Sequence, residues 1–351
     1  MSSEADSFLM PHPSFLARYL VSNGLIDSAS RLVRVRRIGL GQSNLTFVLG
    51  FDDGRELVLR RPPLGPLPPS AHDVLREYRV IRALHGGPVP VAQPILACED
   101  AEVIGAPFYL MERVPGDALR FELPPDFVRA PARRRVGEQA VDALAALHSL
   151  DPAQLGLAEL GRPSGYLTRQ LRRWRSQLEF ARTRPLNDLD WTADWLAEHL
   201  PDGQPEGKVV HGDYKLDNLL FAPEPPTRLL AVVDWEMATL GDPLADVGWL
   251  LAFWRQAGDP PPELKIMPRL TESSGFSTRE ELVARYAARV GRDLPDLKFY
   301  LVLALWKMAV LLEGHWARNI RGTAAGFDFS YLETGNPAFA ARVRRVAEGS
   351  R

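Results

Sequence analysis

Hydrophobic and polar positions alternate over short runs in the first third of the chain and take a helical spacing over most of the rest. Residues 14–23 place Phe15, Leu16, Tyr19 and Leu20 on one side of a short helix, with Ser14 as its cap. Three β-rich runs follow, at 32–40, 44–51 and 56–61, broken by Gly39, Gly41 and the Asp52-Asp53-Gly54 turn. Residues 62–69 contain five prolines and read as an extended loop. Ser70, with Asp73 three residues on, predicts a capped helix with Val74, Tyr78, Ile81 and Leu84 as its apolar stripe, ended by Gly86-Gly87. Strands at 92–98 and 107–113 complete a small β-rich region with one helix packed on it.

Beyond residue 113 the spacing is mostly helical. A long helix is predicted over 127–148, with Val136, Ala140, Ala143, Leu144 and Leu147 inward, and others over 165–182, 188–199, 243–256, 278–290 and 295–320. Two short strands, 218–221 and 229–234, interrupt them. The pattern therefore divides the chain at 1–113 and 114–351 and sets an α+β class.

The 351 residues are 46% hydrophobic and 25% charged, an ordinary globular composition. Net charge is −2, from 42 basic and 44 acidic residues, so no basic field points to nucleic acid. The most apolar stretch, 299–312, contains Lys307 and is short for a membrane span; a core helix is expected instead. Cys98 is the only cysteine and sits in an apolar run, which reads as packing and suits a reducing, cytoplasmic setting. The N-terminus shows no secretory apolar run. No nucleic-acid, membrane or protein partner is expected.

One stretch changes the picture: His211-Gly212-Asp213-Tyr214-Lys215-Leu216-Asp217-Asn218, followed by Asp234 at the end of an apolar strand. Phosphoryl transfer uses such a set, with one Asp to orient a hydroxyl and accept its proton, and an Asn and a second Asp to hold Mg²⁺. The spacing parallels the catalytic loop and metal-binding Asp of protein kinases, with Gly212 in place of Arg and Trp235 in place of Phe. Upstream, Gly39, Gly41, Ser43 and Asn44 lie in a turn between strands that could cradle phosphates. Val58 and Arg60 share a strand face, placing Val58 toward a base and Arg60 toward phosphate oxygens. Arg60 stands where a kinase has Lys, and Glu77 is its expected partner. The backbone near Glu112 to Val114 is the expected adenine-binding connection, from chain order alone.

These pieces, with Ala145-Ala146-Leu147-His148 and Gly241-Asp242-Pro243 followed by Asp246, resemble the aminoglycoside phosphotransferase and choline-kinase-like family over residues 30–255. Within that family, the Arg60-Arg61-Pro62-Pro63 run and Tyr166 to Trp174 look like the phosphotransferase-like domain attached to some acyl-CoA dehydrogenases. The resemblance implies a bilobal protein-kinase-like fold with a small β-rich N-lobe and a larger, mostly helical C-lobe. It also implies ATP and Mg²⁺ as cofactors, Asp213 as base, Asn218 and Asp234 as metal ligands, and a small-molecule hydroxyl as acceptor. Asp246 and His211 are then supports of the catalytic loop, and Lys215 adds charge near the phosphate.

The acceptor is less legible. Residues 161–184 hold seven Arg and one Glu, and Arg169, Arg172 and Arg173 share one helical face. A polycationic aminoglycoside favours an acidic pocket; a basic one suits an anionic acceptor such as a hydroxyacyl thioester of CoA. Trp174, Trp249, Trp254 and Trp316 could line an apolar or sugar-stacking surface, with core packing as the default for each. Two other readings stand beside the kinase: a nucleotide-binding pseudokinase, suggested by Arg60 and the incomplete glycine loop, and a metal-dependent hydrolase, which the scattered histidines disfavour.

Overall fold

The alternating runs build a five-stranded antiparallel sheet in the order β1-β2-β3-β5-β4, formed by β1 (Leu32–Ile38), β2 (Leu45–Phe51), β3 (Glu56–Arg61), β4 (Pro94–Cys98) and β5 (Phe108–Glu112). This is seen in a computed structural model that describes residues 11, 13–27, 31–39, 44–64, 73–127, 129–202, 207–222, 224, 226–264, 266–295, 297–324 and 327–349. By its contacts the chain forms two compact units, Met1–Pro115 with Leu230–Glu236, and Gly116–Leu229 with Met237–Arg351.

In the first unit, β3 is central and buried from Val58 to Arg61, because both faces of the sheet are covered. One face carries Phe47, Leu49, Leu59, Phe108, Leu110 and Cys98, which pack with Leu16 and Leu20 of α1 (Pro13–Ser22). Each large apolar side chain buried here contributes about 1.5–3 kcal/mol, so this layer holds the sheet far more than its turns do. Phe15, expected on the buried side of α1, is instead half exposed. On the other face lies α2 (Val74–Leu84), which buries Val74, Glu77, Val80, Ile81 and Leu84. It begins later than the sequence predicts: the cap is Asp73 itself, whose carboxylate accepts the Arg76 N–H at 2.9 Å. Ser70 lies outside the described residues. Residues 230–236, which the sequence pattern groups with the second region, cluster with the first. The reason is local bonding. Val232 N–H donates to Pro90 O at 2.8 Å, and Trp235 N–H donates to Glu77 Oε1 at 3.1 Å.

The second unit is mostly helical. A two-residue strand, β6 (Asp117–Ala118), pairs with β8 (Leu219–Phe221), and β7 (Lys208–Val210) pairs antiparallel with β9 (Thr239–Gly241). Around them stand α3 (Ala130–Ser149), α4 (Tyr166–Ala181), α5 (Asn187–Glu198), α6 (Pro243–Phe253), α7 (Arg279–Val290), α8 (Lys298–Ile320) and α9 (Leu332–Glu348). The long apolar α8 packs against α4, α5, α6 and α9. Among the described residues it is the one helix long and apolar enough to cross a membrane, and 72% of its most apolar stretch is buried in the protein.

Sequence periodicity misses α9 because Pro337 lies inside it. Proline cannot donate to the carbonyl four residues back. Arg184 supplies that missing donor, bonding Glu333 O at 2.5 Å and Leu332 O at 3.0 Å while pairing with buried Glu313.

Candidate active site

Arg60 ends the polar-face series of β3, and Glu77 stands one turn into α2 facing the same side of the sheet. The guanidinium meets Glu77 Oε2 at 3.2 Å, Asp234 Oδ1 at 2.9 Å and Glu236 Oε2 at 3.8 Å. Arg60 and Glu77 are almost wholly buried, whereas the Asp234 side chain keeps 33% exposure and so remains open to a ligand. Burial pushes Glu77 up to about 7, against the pull of Arg60 and with a further push from Asp234 and Glu236. Three carboxylates therefore surround one guanidinium, a surplus of negative charge that favours a cation. Asp234 also has φ 69°, a left-handed conformation that few residues other than glycine adopt and that Asp tolerates better than most. Such strain is retained where the surrounding structure fixes it, here through the Trp235 amide on Glu77 and Trp235 Nε1 on Val232 O at 2.9 Å.

The second cluster belongs to the second unit. β7 ends at Val210, and the chain turns onto a buried carboxylate: Asp246 accepts His211 N–H at 2.6 Å and Gly212 N–H at 2.8 Å. His148 Nε2 lies 3.4 Å from the same group. Burial alone would raise Asp246; the His148 hydrogen bond, the His148 and His211 rings and the Gly212 amide outweigh it, and the carboxyl sits below its usual range. Asp246 is itself fixed in the first turn of α6, whose cap Asp242 accepts Leu244 N–H and the Tyr300 hydroxyl. Gly241 precedes that cap because a Cβ there would lie 2.6 Å from the Tyr166 ring.

Asp213 is thus presented by an anchored loop. Its carboxylate accepts Trp249 Nε1 at 2.8 Å, Asn218 Nδ2 at 3.0 Å, and Lys215 Nζ at 3.0 Å on both oxygens. The five-residue spacing to Asn218 closes through the 3₁₀ turn Leu216–Asn218, which lets Nδ2 also reach Asp213 O at 2.8 Å. His211 Nδ1 accepts the Asp213 N–H at 3.2 Å, so Nε2 carries the ring proton.

Gly212 has φ 82°, and a Cβ there would meet Met237 O at 2.8 Å. Gly212→Ala is expected to destabilise the protein by at least about 1–2 kcal/mol and to lower turnover, since both the backbone conformation and the close approach are lost. Urea unfolding checks this; an unchanged midpoint with full activity would contradict it.

A pocket of about 370 Å³, its open mouth included, lies beside this loop. It is lined by Tyr166, Gln170, Trp174, Trp249, Tyr300 and Lys307, among others. Lys307 Nζ donates to Gly212 O at 3.1 Å and stands over the Trp249 and Trp174 rings, 4.2 and 5.3 Å from their centroids.

The other expected residues fare unevenly. Gly41 and Ser43 lie outside the described residues. Gly39 has φ 75° with open space around it, and buried Asn44 donates to Glu236 Oε2 at 3.1 Å. Val58 is buried on the Arg60 face. Glu112 is already engaged with Gln93: its N–H donates to Gln93 O, and its carboxylate accepts Gln93 N–H. Val114 lies in the irregular 113–116 stretch. Of the arginines, Arg169 is tied back to Ser164 O and Arg162 O, and Arg172 is exposed. Arg173 is exposed above Trp174. Sequence reasoning gave Lys307 and Glu236 no site role, and considered Trp249 only as a surface for the acceptor, not as a donor to Asp213. Trp249 follows Asp246 by three residues, a helical-face relation, and a lone Lys inside an apolar helix was itself a signal.

Oxygen donors dominate both clusters, which suits a hard cation such as Mg²⁺. Asn218 uses its nitrogen on Asp213, leaving its amide oxygen for a ligand, and Asp234 keeps its second oxygen free of Arg60. Among the described residues no three His, Cys, Asp or Glu side chains form a ready-made metal site. Mg²⁺ commonly takes only one or two protein carboxylates and completes its shell with phosphates and water.

A family model described as a phosphotransferase enzyme family, APH, matches residues 34–302. The chain is 36% identical over 322 residues to Acyl-CoA dehydrogenase family member 11 of Gallus gallus, covering 88% of this chain and 40% of that protein. It thus spans about two-fifths of that relative's length. A solved structure from Ralstonia eutropha, assigned to the aminoglycoside phosphotransferases, is 31% identical and superposes with a TM-score of 0.80, covering 97% of this chain and 99% of that one. An aminoglycoside phosphotransferase APH(4)-Ia mutant, solved in a ternary complex with ADP and hygromycin B, shares the fold at 17% identity and a TM-score of 0.59, over 94% of this chain and 97% of that one. The chain belongs to the APH phosphotransferase family and has its kinase-like α+β fold.

Proposed function

We propose that this protein transfers the γ-phosphoryl group of ATP, with Mg²⁺, to a hydroxyl of a small molecule. The observation that carries the reading is the Asp213 carboxylate, oriented by Trp249, Asn218 and Lys215 on a loop anchored by Asp246. In this reading Asp213 accepts the hydroxyl proton as the oxygen attacks the phosphorus, and ADP leaves. Lys215 exchanges its contact with Asp213 for the incoming phosphate, freeing a lone pair on the base. Arg60 would bear on phosphate oxygens, and Asn218 and Asp234 are the residues that would hold the metal, through an amide and a carboxylate oxygen. Bound Mg²⁺ would offset the charge of the phosphates during transfer.

One observation favours a second reading. Arg60 bonds Asp234 directly, so the guanidinium competes for the carboxylate that the metal needs. A nucleotide-binding pseudokinase would have that arrangement permanently.

ADP release with Mg·ATP, screened against aminoglycosides, choline-like alcohols, sugars and hydroxyacyl-CoA thioesters, separates the two. Acceptor-dependent ADP release is expected with one class. Nucleotide binding with no release for any of them would favour the pseudokinase. The exposed cation Arg173 near the pocket, together with Lys307, supports a hydroxyacyl-CoA-like acceptor over a polycationic aminoglycoside.

A further inference from the structure

Trp174 and Trp249 present two indole faces to one point in the pocket, and Lys307 Nζ stands at that point. Two converging aromatic faces are the usual means of binding a quaternary or methylated ammonium. Here the chain fills the position itself. The ammonium is tethered from α8, directed by its hydrogen bond to Gly212 O, and flanked by Arg173 and Lys215, both close enough to act on its charge.

We infer that Lys307 is a specificity-determining residue that occupies an aromatic cation cage and so closes the acceptor pocket to positively charged hydroxyl compounds, leaving neutral or anionic ones. The inference rests on the phosphotransferase reading only in calling the pocket the acceptor site; the cage and its occupant stand on geometry alone.

Three features agree with it. Trp249 also donates Nε1 to Asp213, so a ligand on its indole face is next to the base. Gln170 and Tyr300 complete the wall without a carboxylate, and the pocket's one acidic residue, Asp246, is already held by two loop amides. Burial pushes Lys307 down to about 8 despite the pull of Asp213 and Asp246, with Arg173 and Lys215 opposing its charge. A second cation entering there would meet the same repulsion without the tether.

The test is direct binding of tetramethylammonium by calorimetry, with sodium chloride of equal ionic strength as control. Wild type is expected to show no saturable binding. Lys307→Ala, which keeps helix propensity and vacates the cage, is expected to bind at least about tenfold more tightly than wild type. Lys307→Arg, which retains a charge, should stay unresponsive. Equal binding by wild type and Lys307→Ala would overturn the proposal, as would no binding by a folded Lys307→Ala. If that variant does not fold, Lys307→Ser replaces it under the same criteria. Because binding is read without ATP, loss of the phosphotransferase reading would leave this result standing, and the reverse also holds.

Discussion

Asp213→Asn is expected to lower phosphotransfer by about 10²–10⁴-fold, the usual contribution of a positioned general base. The change is nearly isosteric. Trp249 Nε1 can still donate to the retained side-chain oxygen, and Asp246 still holds the loop through the His211 and Gly212 amides. What disappears is the group proposed to take the proton and the negative charge that holds Lys215 at 3.0 Å. Nucleotide affinity should therefore change little while turnover collapses. Measuring turnover by ADP release and nucleotide affinity by titration separates the two, and an Asp213→Asn protein with wild-type turnover would remove Asp213 from the mechanism.

Arg60→Leu is expected to reduce stability by about 3–5 kcal/mol, because it leaves the fully buried Glu77 carboxylate without its cation. Nucleotide affinity should fall with it. Glu77 can escape part of the loss by taking a proton, and this gives the effect a sign in pH. Its pKa is raised from an ordinary 4.5 to about 7 even with Arg60 present, and removing the cation raises it further. Between the unfolded and folded values the native state holds more protons than the unfolded chain, so stability falls as pH rises. The loss should be larger at about pH 8.5 than at about pH 6. Arg60→Leu with Glu77→Gln should recover most of it, since Gln still accepts the Trp235 N–H. Urea unfolding of the single and double variants decides the matter; a double variant no more stable than the single one would mean that the ion pair is not what Arg60 contributes.

Much of this was legible in the sequence, for reasons that can be named. Strand alternation placed Val58 and Arg60 on one face, and helical spacing placed Glu77 toward it. The His211–Asn218 spacing brought its residues together because a 3₁₀ turn closes it. The misses are those of tertiary chemistry. Pro337 reads as a helix breaker unless Arg184 is known to stand in for the lost donor. The strands β7 and β9 have three residues each, too few for a period to register. Arg169 looks like a substrate contact until the carbonyls of Arg162 and Ser164 are seen to hold it. Lys307 is one polar residue in an apolar helix, and only the placement of two tryptophans from other helices makes it a feature of the site.

Leu230–Glu236 belongs to the first unit, yet more than a hundred residues of the second are synthesised before it. On the ribosome, then, the five-stranded sheet emerges early, but the unit that contains it must wait for its last segment. Until Trp235 arrives, Glu77 lacks the amide that it accepts, and until Asp234 arrives, Arg60 lacks one of its carboxylates. A nascent chain stopped before residue 230 would carry all five strands of the sheet with an unfinished polar interior. Asp234, the carboxylate proposed to hold the metal, and the final stabilising contacts of that unit are thus added together, so under the proposed function the unit becomes competent only as its fold is completed.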